Sequence, residues 1–497
     1  MSSGPDGRIP IIRPIGVLGQ EILELTPTFF RFFARLPKLA QKSLKVTLPF
    51  FVLVLMTLLP LPIEQDIQYA LATFLCVSML WTFGALPLPV TALLVPVLLT
   101  LYGIFPTTTA LEPFADPVVY LLMGGLIMAE AFRKHGIDRR LAYAIVSRAE
   151  GQLEKILISL MLVSAVLSMW ISNTATVALL IPVVLGIASK AGENKRNLSI
   201  QFLMGIGIGS AIGGMATITG SAPNAVASGL LARETVWTFA DWMKVGLPTS
   251  AILLIISWRI LLKLFPAKAD KLDMASVSKE LQEMGPMTSG EKKTLGIFLP
   301  TVVLWVAGAD IGELFGFPPS FMSATIVALS AAVLLFATKT LEWSDARNIS
   351  WDIFLIIGAG LALGEGLEAS GAAAWMADHL VAITGGFHII VIMLVVATIS
   401  VLLSNFMSNT ATIAILAPIL IGMSTALEVD PKFLVLVCGL SVSISFITPI
   451  GTPPFTLIYS TGVLSRGELA RGGLRVTLPA VLVACAVVYL MVEFGLV

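Results

Sequence analysis

Charge is scarce in this sequence. Only 12% of its 497 residues are Asp, Glu, Lys or Arg, against roughly a quarter in a soluble domain. The chain is 57% hydrophobic with a net charge of zero, which excludes an ordinary soluble domain and leaves no basic footprint for nucleic acid. Cysteine and histidine number three each. Cys76, Cys438 and Cys485 stand in separate apolar runs without ligand spacing, so they read as small core residues rather than a disulfide or a metal site. The apolar runs contain no HExxH, no nucleophile beside a histidine and no aspartate pair, which argues against an intramembrane enzyme. No long apolar run precedes Val46, so no cleavable signal peptide is expected. The preceding "FFRFFARLPKLAQKSLK", with Arg31, Arg35, Lys38, Lys42 and Lys45, reads equally as a helix on the cytoplasmic leaflet or as a plain basic tail.

Long apolar runs fill the rest and predict an all-α polytopic membrane protein. Candidate spans are 46–62, 67–84, 88–104, 116–134, 198–231, 241–265, 294–308, 321–338, 351–368, 432–462 and 474–497. Two further apolar segments, 156–189 and 380–425, differ from these. The first is flanked on both sides by basic clusters, "RKHGIDRR" with Arg148 and Lys155 before it and "KAGENKR" after it. Both its ends are therefore expected in the cytoplasm. The second lies in a window, between Arg347 and Lys432, that has no Lys or Arg at all, so both its ends are expected outside. Eleven crossings, N-terminus inside and C-terminus outside, fit every loop.

Each special segment carries a polar knot at its centre, "LSMWISNTATVALLIPV" and "LLSNFMSNTATIAILAPI". Arms of about 16 residues make helices of about 24 Å, short of a hydrocarbon core of roughly 30 Å. Re-entrant hairpins entering from opposite faces, with Ser172-Asn173-Thr174 and Ser408-Asn409-Thr410 at their tips, satisfy both facts. The alternative is two ordinary antiparallel pairs with external polar turns, which would misplace the flanking charges.

The echo extends further. "GLIMAEAFRKHG" aligns with "GLALGEGLEASG", Pro182 with Pro418, "TITGSAPN" with "ITPIGTPPF", and Leu247-Pro248 with Leu478-Pro479, all in the same order. The charge pattern inverts one copy against the other. Opposed repeats of this kind place a transporter's binding site near the midplane, where broken helices meet. "GGMATITGSAPNA" and "SISFITPIGTPPF" interrupt the spans 198–231 and 432–462 there. Their freed carbonyls, with Ser, Thr and Asn oxygens, suit a small hard cation such as sodium. Exposed N–H groups at half-helix N-termini suit an anionic oxygen. Neither hairpin interior holds a charged residue. An anion bound there must be balanced by bound cations and helix dipoles, because an unpaired buried charge is costly. Glu130 and Glu365 could relay protons, but their places near helix ends favour structural or interfacial roles, and His135, His379 and His388 read as solvated residues near loops.

The paired SNT tips, followed by "TITGSAPN" and "TPIGTPPF", resemble the divalent anion/sodium symporter family from about residue 45 onward. The resemblance implies an elevator-type transporter, a homodimer in the membrane lipid, that moves a dicarboxylate anion with sodium ions across the cell's inner or plasma membrane. Its parts would be an N-terminal segment (1–45), scaffold (46–150 and 294–375), transport domain (151–265 and 376–497) and a cytoplasmic linker (266–293). Carried over by position, one sodium site would use Ser168, Ser172, Asn173 and the Gly220 backbone, and the other Ser404, the Met407 backbone, Asn409 and the Gly451 backbone. Substrate carboxylates would meet Asn173, Thr174, Ser221, Asn409, Thr410 and Pro453. Ser404 replaces a threonine found in some members and keeps its hydroxyl. Phe455 stands where an Asn often follows the second Pro-Pro, while Asn224 keeps its counterpart. The expected cargo is a C4-dicarboxylate of the succinate, malate and fumarate class. Alternatives are a carrier of sulfate or citrate, a sodium-independent exchanger, and, in a different class, an ion channel.

Overall fold

Apolar sequence without period-2 alternation, interrupted by Gly and Pro, has one way to satisfy its backbone away from water, the α-helix. The computed structural model describes residues 38–189, 195–267, 271–318, 321–384, 386–449 and 451–497, and every regular element among them is helical. The expected Arg31 and Arg35 of the N-terminal segment lie outside the described residues.

The first half runs α1 (Lys38–Leu58), α2 (Gln65–Phe83), α3 (Leu88–Leu101), α4 (Thr107–Leu111), α5 (Pro117–His135), α6 (Ile137–Val146), α7 (Leu153–Ser168), α8 (Asn173–Ala188), α9 (Lys195–Gly214), α10 (Ala222–Glu234) and α11 (Phe239–Leu264). A short α12 (Ala275–Glu283) links to α13 (Ser289–Leu314), α14 (Ala324–Ala337), α15 (Trp343–Ala346), α16 (Asp352–Ala369), α17 (Ala372–Thr384), α18 (Ile389–Ser404), α19 (Asn409–Ala426), α20 (Lys432–Ser441), α21 (Pro453–Ser460) and α22 (Arg466–Glu493). Six stretches among the described residues are long and apolar enough to cross a membrane, or seven if α16 and α17, bent by 77°, form one span. One of the six is α19, read above as a hairpin arm, so length and composition alone do not yield eleven crossings. That count rests on the charge pattern.

The repeat is visible in the elements. Gly136 and Gly371, aligned above, both follow a long helix in the left-handed region, at φ +69° and +76°, and each is followed at once by a second helix. A glycine there avoids the Cβ clash that the conformation imposes on other residues. The expected interruptions appear as gaps between α9 and α10 and between α20 and α21. Each 16-residue arm of the first special segment is a helix, and four residues, Met169 to Ser172, join them. Packing follows the repeat: α7 lies on α9 as α18 lies on α20, and α11 on α9 as α22 on α20.

Close helix approach comes from small residues, as it does in lipid generally. Gly205, Gly209 and Gly213 line one face of α9 at spacing four. A Cβ at Gly213 would sit 2.1 Å from the Ala165 carbonyl oxygen, and one at Gly209 2.7 Å from that of Met161. Ser164 Oγ donates to the Ile206 carbonyl at 2.6 Å across the same seam.

Ion pairs collect at helix ends. Glu130 accepts from Arg133 at 2.8 Å, and Arg233 joins Asp116 at 3.1 Å and Glu365. Both glutamates are thus held in ion pairs. Lys134 pairs with Asp345 at 2.6 Å and holds that carboxyl below its usual range. His135 differs from expectation. It is half-buried, packed on the α-carbon of Gly290 and hydrogen-bonded at 3.0 Å to the Thr340 carbonyl.

Gly213→Ala should overpack the α7–α9 seam and cost about 1–3 kcal/mol. Gly186→Ala, where a Cβ meets nothing within 4 Å, should be neutral or stabilising by up to about 1 kcal/mol. Thermal unfolding in detergent measures both; equal midpoints would show that the seam does not depend on glycine.

Candidate functional site

Two clusters sit where the hairpins meet the broken helices. In the first, Ser172 caps α8, its Oγ accepting from the Ala175 N–H at 3.3 Å. Asn173 opens the helix, and the buried Ser168 hydroxyl donates to its Oδ1. Gly214 ends α9, and a Cβ on it would lie 2.6 Å from Asn173 Oδ1. A Cβ on Gly220 would lie 2.7 Å from the Gly214 carbonyl and 3.0 Å from that of Ser168. Ser168, Asn173 and Gly220 are therefore brought together, with Gly214 as an unforeseen fourth wall.

In the second cluster Asn409 opens α19 and its Oδ1 accepts from Ser445 Oγ at 3.1 Å. Gly451 lies near: its Cβ would fall 3.3 Å from the Ser445 carbonyl oxygen. Ser404, equally buried, turns its hydroxyl to the Val401 carbonyl at 3.1 Å instead of to Asn409. Met407 is buried, and its sulfur takes a contact from Thr82 Oγ1 on α2 at 3.7 Å.

The same turn builds both breaks. Thr217 Oγ1 donates to the Met169 carbonyl at 2.6 Å and accepts from the Gly220 N–H at 3.0 Å. Thr448 Oγ1 donates to the Asn405 carbonyl at 2.7 Å and accepts from the Gly451 N–H at 3.0 Å. One hydroxyl thus staples the hairpin to the break and closes the break on its glycine. Sequence reasoning passed over these two threonines, although the recurring Thr-x-x-Gly spacing was a signal for them. It also passed over Asn405 and Ser445, which no motif marks. Asn224, noted only as part of the motif, donates from Nδ2 to the Gly214 and Thr217 carbonyls at 2.7 Å each.

The six expected substrate residues share one structural feature. Asn173 and Thr174 begin α8, Asn409 and Thr410 begin α19, Ser221 caps α10, and Pro453 begins α21. All six are half-buried or exposed, whereas Ser168, Ser404 and the Gly220 backbone behind them are buried. The helices pack crosswise between repeats, α10 on α19 and α21 on α8. A helix N-terminus carries about +0.5 of a unit charge, so each of these four helix starts offers partial positive charge without a basic side chain. The inner donors are uncharged oxygens throughout, which a hard monovalent cation accepts. Among the described residues no group of His, Cys, Asp and Glu could hold a metal ion.

Thr217→Val removes two hydrogen bonds worth about 1 kcal/mol each and should lower stability by about 2 kcal/mol. Thr448→Val should do the same in the other repeat. Unaltered thermal unfolding in both variants would mean the staple carries no load.

Comparison with known proteins finds relatives along most of the chain. Residues 40–494 match the sodium:sulfate symporter transmembrane region. An uncharacterised transporter of Haemophilus influenzae is 35% identical over 437 residues, covering 86% of this chain and 93% of its own. The sodium-dependent dicarboxylate transporter SdcS of Staphylococcus aureus is 30% identical over 467 residues, 88% of each. Among solved structures, the YdaH transporter of Alcanivorax borkumensis aligns with a TM-score of 0.53 at 15% identity, over 78% of this chain and 88% of that one, a likeness of fold alone.

Proposed function

Since the chain belongs to the sodium:sulfate symporter family of multi-pass membrane transport proteins, we propose that it carries a C4-dicarboxylate together with sodium ions, by an elevator movement, in a dimer joined through its scaffold. The observation that carries this reading is the pairing of uncharged oxygen cages with helix N-termini in both repeats. A dianion placed before such termini gains partial compensating charge from each, and cations in the cages behind supply the rest. Cation and anion then stabilise each other's binding, which is the thermodynamic content of symport. The SdcS name favours a dicarboxylate over sulfate, and two carboxylates match two SNT tips.

One cage would comprise Ser168, Ser172, Asn173 and Gly220, the other Ser404, Met407, Asn409 and Gly451. Asn173, Thr174, Ser221, Asn409, Thr410 and Pro453 would hold the substrate. The transport domain would be 151–265 with 376–497, and the scaffold 46–150 with 294–375.

Support for domain movement lies in where the symmetry fails. Inside the transport domain, packing is exchanged faithfully between the copies. Toward the scaffold it is not. The second hairpin packs through α19 on α2 and α16, and on α17, most of which belongs to the transport part itself. The first hairpin's tip meets α13 through Trp170, whose ring lies 5.2 Å from that of Phe298 and 6.1 Å from that of Trp305, and a largely apolar cleft of about 360 Å³ opens beside this contact, lined among others by Leu167, Ile171, Glu291 and Leu295.

Uptake of labelled succinate into proteoliposomes should require an inward sodium gradient, and unlabelled fumarate and malate should compete better than citrate or sulfate. Asn173→Ala and Asn409→Ala should each reduce uptake at least tenfold, about 1.4 kcal/mol. Sodium-independent uptake defeats symport, and stronger competition by sulfate reassigns the cargo.

A further inference from the structure

The two breaks share a turn but are finished with opposite polarity. In the first, side-chain donors cap the freed carbonyls. Asn224 Nδ2 takes those of Gly214 and Thr217. Trp242 Nε1 takes Met215 at 2.9 Å, and Ser250 Oγ takes Ile212 at 2.7 Å.

By the alignment of Gly220 with Gly451, the corresponding carbonyls of the second break belong to Ser443, Ser445, Phe446 and Thr448. Among the described residues no side-chain donor reaches these four. The residues that would supply such donors have changed. Phe455 stands at the place of Asn224 and is fully buried. Gly473 stands at the place of Trp242, and its bare α-carbon packs on the Phe446 carbonyl, where a Cβ would come within 2.1 Å.

An asparagine has moved to the other side of the break. Asn405, 3% exposed, aligns with Met169 of the first hairpin. Its Oδ1 accepts from the Ile447 and Thr448 N–H groups at 3.0 and 3.2 Å, and its Nδ2 donates to the Val401 carbonyl at 2.8 Å. The first break is held by an amide that donates to carbonyls, the second by an amide that accepts from N–H groups. The second hairpin is also tied to its break by four side-chain bonds, two accepted by Asn405 Oδ1, one donated by Thr448 Oγ1 and one from Ser445 Oγ to Asn409 Oδ1. The first hairpin has the Thr217–Met169 bond in the matching place.

We propose that Asn405 is the positioning residue that makes the second cage the stronger and pre-ordered cation site, filled before the first. This rests on the reading of the hairpin-and-break units as sodium cages. Accepting from the amides fixes the turn of the break, and among the described residues the Ser443 and Ser445 carbonyl oxygens take no protein donor. Oxygen lone pairs are what a hard cation needs, and a cage already held in shape loses less entropy when the cation enters. Capped carbonyls and a single tie leave the first cage to be completed by its ion.

The test uses the full-length protein in detergent without substrate, reading sodium-dependent thermal stabilisation. Asn405→Met, which installs the first repeat's residue, should raise the sodium concentration for half-maximal stabilisation at least tenfold. Asn405→Asp, which keeps an acceptor for both amides, should not raise it. In proteoliposomes the Met variant should show the same rise in sodium half-saturation, with a much smaller change in maximal rate at saturating sodium. A fall in maximal rate at constant sodium half-saturation would make Asn405 merely structural and overturn the proposal. Hydrogen exchange of the wild-type protein needs no variant to fold. The Ile447 and Thr448 amides should be protected with or without sodium, and tenfold or greater dependence on sodium there also overturns the proposal. Wild-type protein that sodium does not stabilise at all defeats the cage reading itself. Normal wild-type stabilisation with an unshifted Asn405→Met curve defeats only the role of Asn405.

Discussion

A helix broken inside an apolar protein exposes backbone N–H and C=O groups where no water can reach them, and each left unpaired costs a few kcal/mol. This constraint shapes the structure around the site. The breaks after Gly214 and after Ser441 persist because one threonine in each, Thr217 or Thr448, pairs at once with the hairpin beside it and with the glycine three residues on. The hairpin tips need the breaks as partners, and the breaks need the hairpins. Neither would be stable as an isolated segment, and together they hold a row of oxygens and helix starts in fixed positions.

The same economy explains the chemistry. A basic side chain in this place would bind an anion in every state and would tie release to a permanent charge. Under the proposed function, helix N-termini and neutral oxygens would give a weaker, divided attraction that suffices only with cations bound. The absence of Lys and Arg from both hairpins is thus consistent with coupling: an anion without its cations lacks the charge balance that burial demands.

Symmetry between the repeats is kept where the site is built and lost where the two parts of the protein face one another. The crosswise packing of α10 on α19 and α21 on α8 makes the two breaks one unit. The two hairpins are seated unequally on the rest of the molecule, the second through α19 on α2, α16 and α17 and the first through Trp170 on α13. The polarity of the breaks, set by Asn224 on one side and Asn405 on the other, is a second asymmetry, local and chemical rather than mechanical.

Much was legible in the residues themselves. The apolar runs dictated helices, the doubled SNTAT text and the collinear glycines and prolines dictated the repeat, and the Gly- and Pro-rich interruptions marked where helices would break. These are properties of local pattern, which a helix's backbone chemistry translates directly. Other features were beyond that reach. Nothing in "LLSNFMSNTAT" says that Asn405 turns to amides 42 and 43 residues away, that His135 packs on Gly290, or that Ser404 bonds to its own helix while Ser168 reaches Asn173. The bend between α16 and α17 and the cleft beside α13 likewise depend on which surfaces meet. A side chain's partner across a long sequence separation is chosen by packing of whole helices, and only the tertiary structure carries that information.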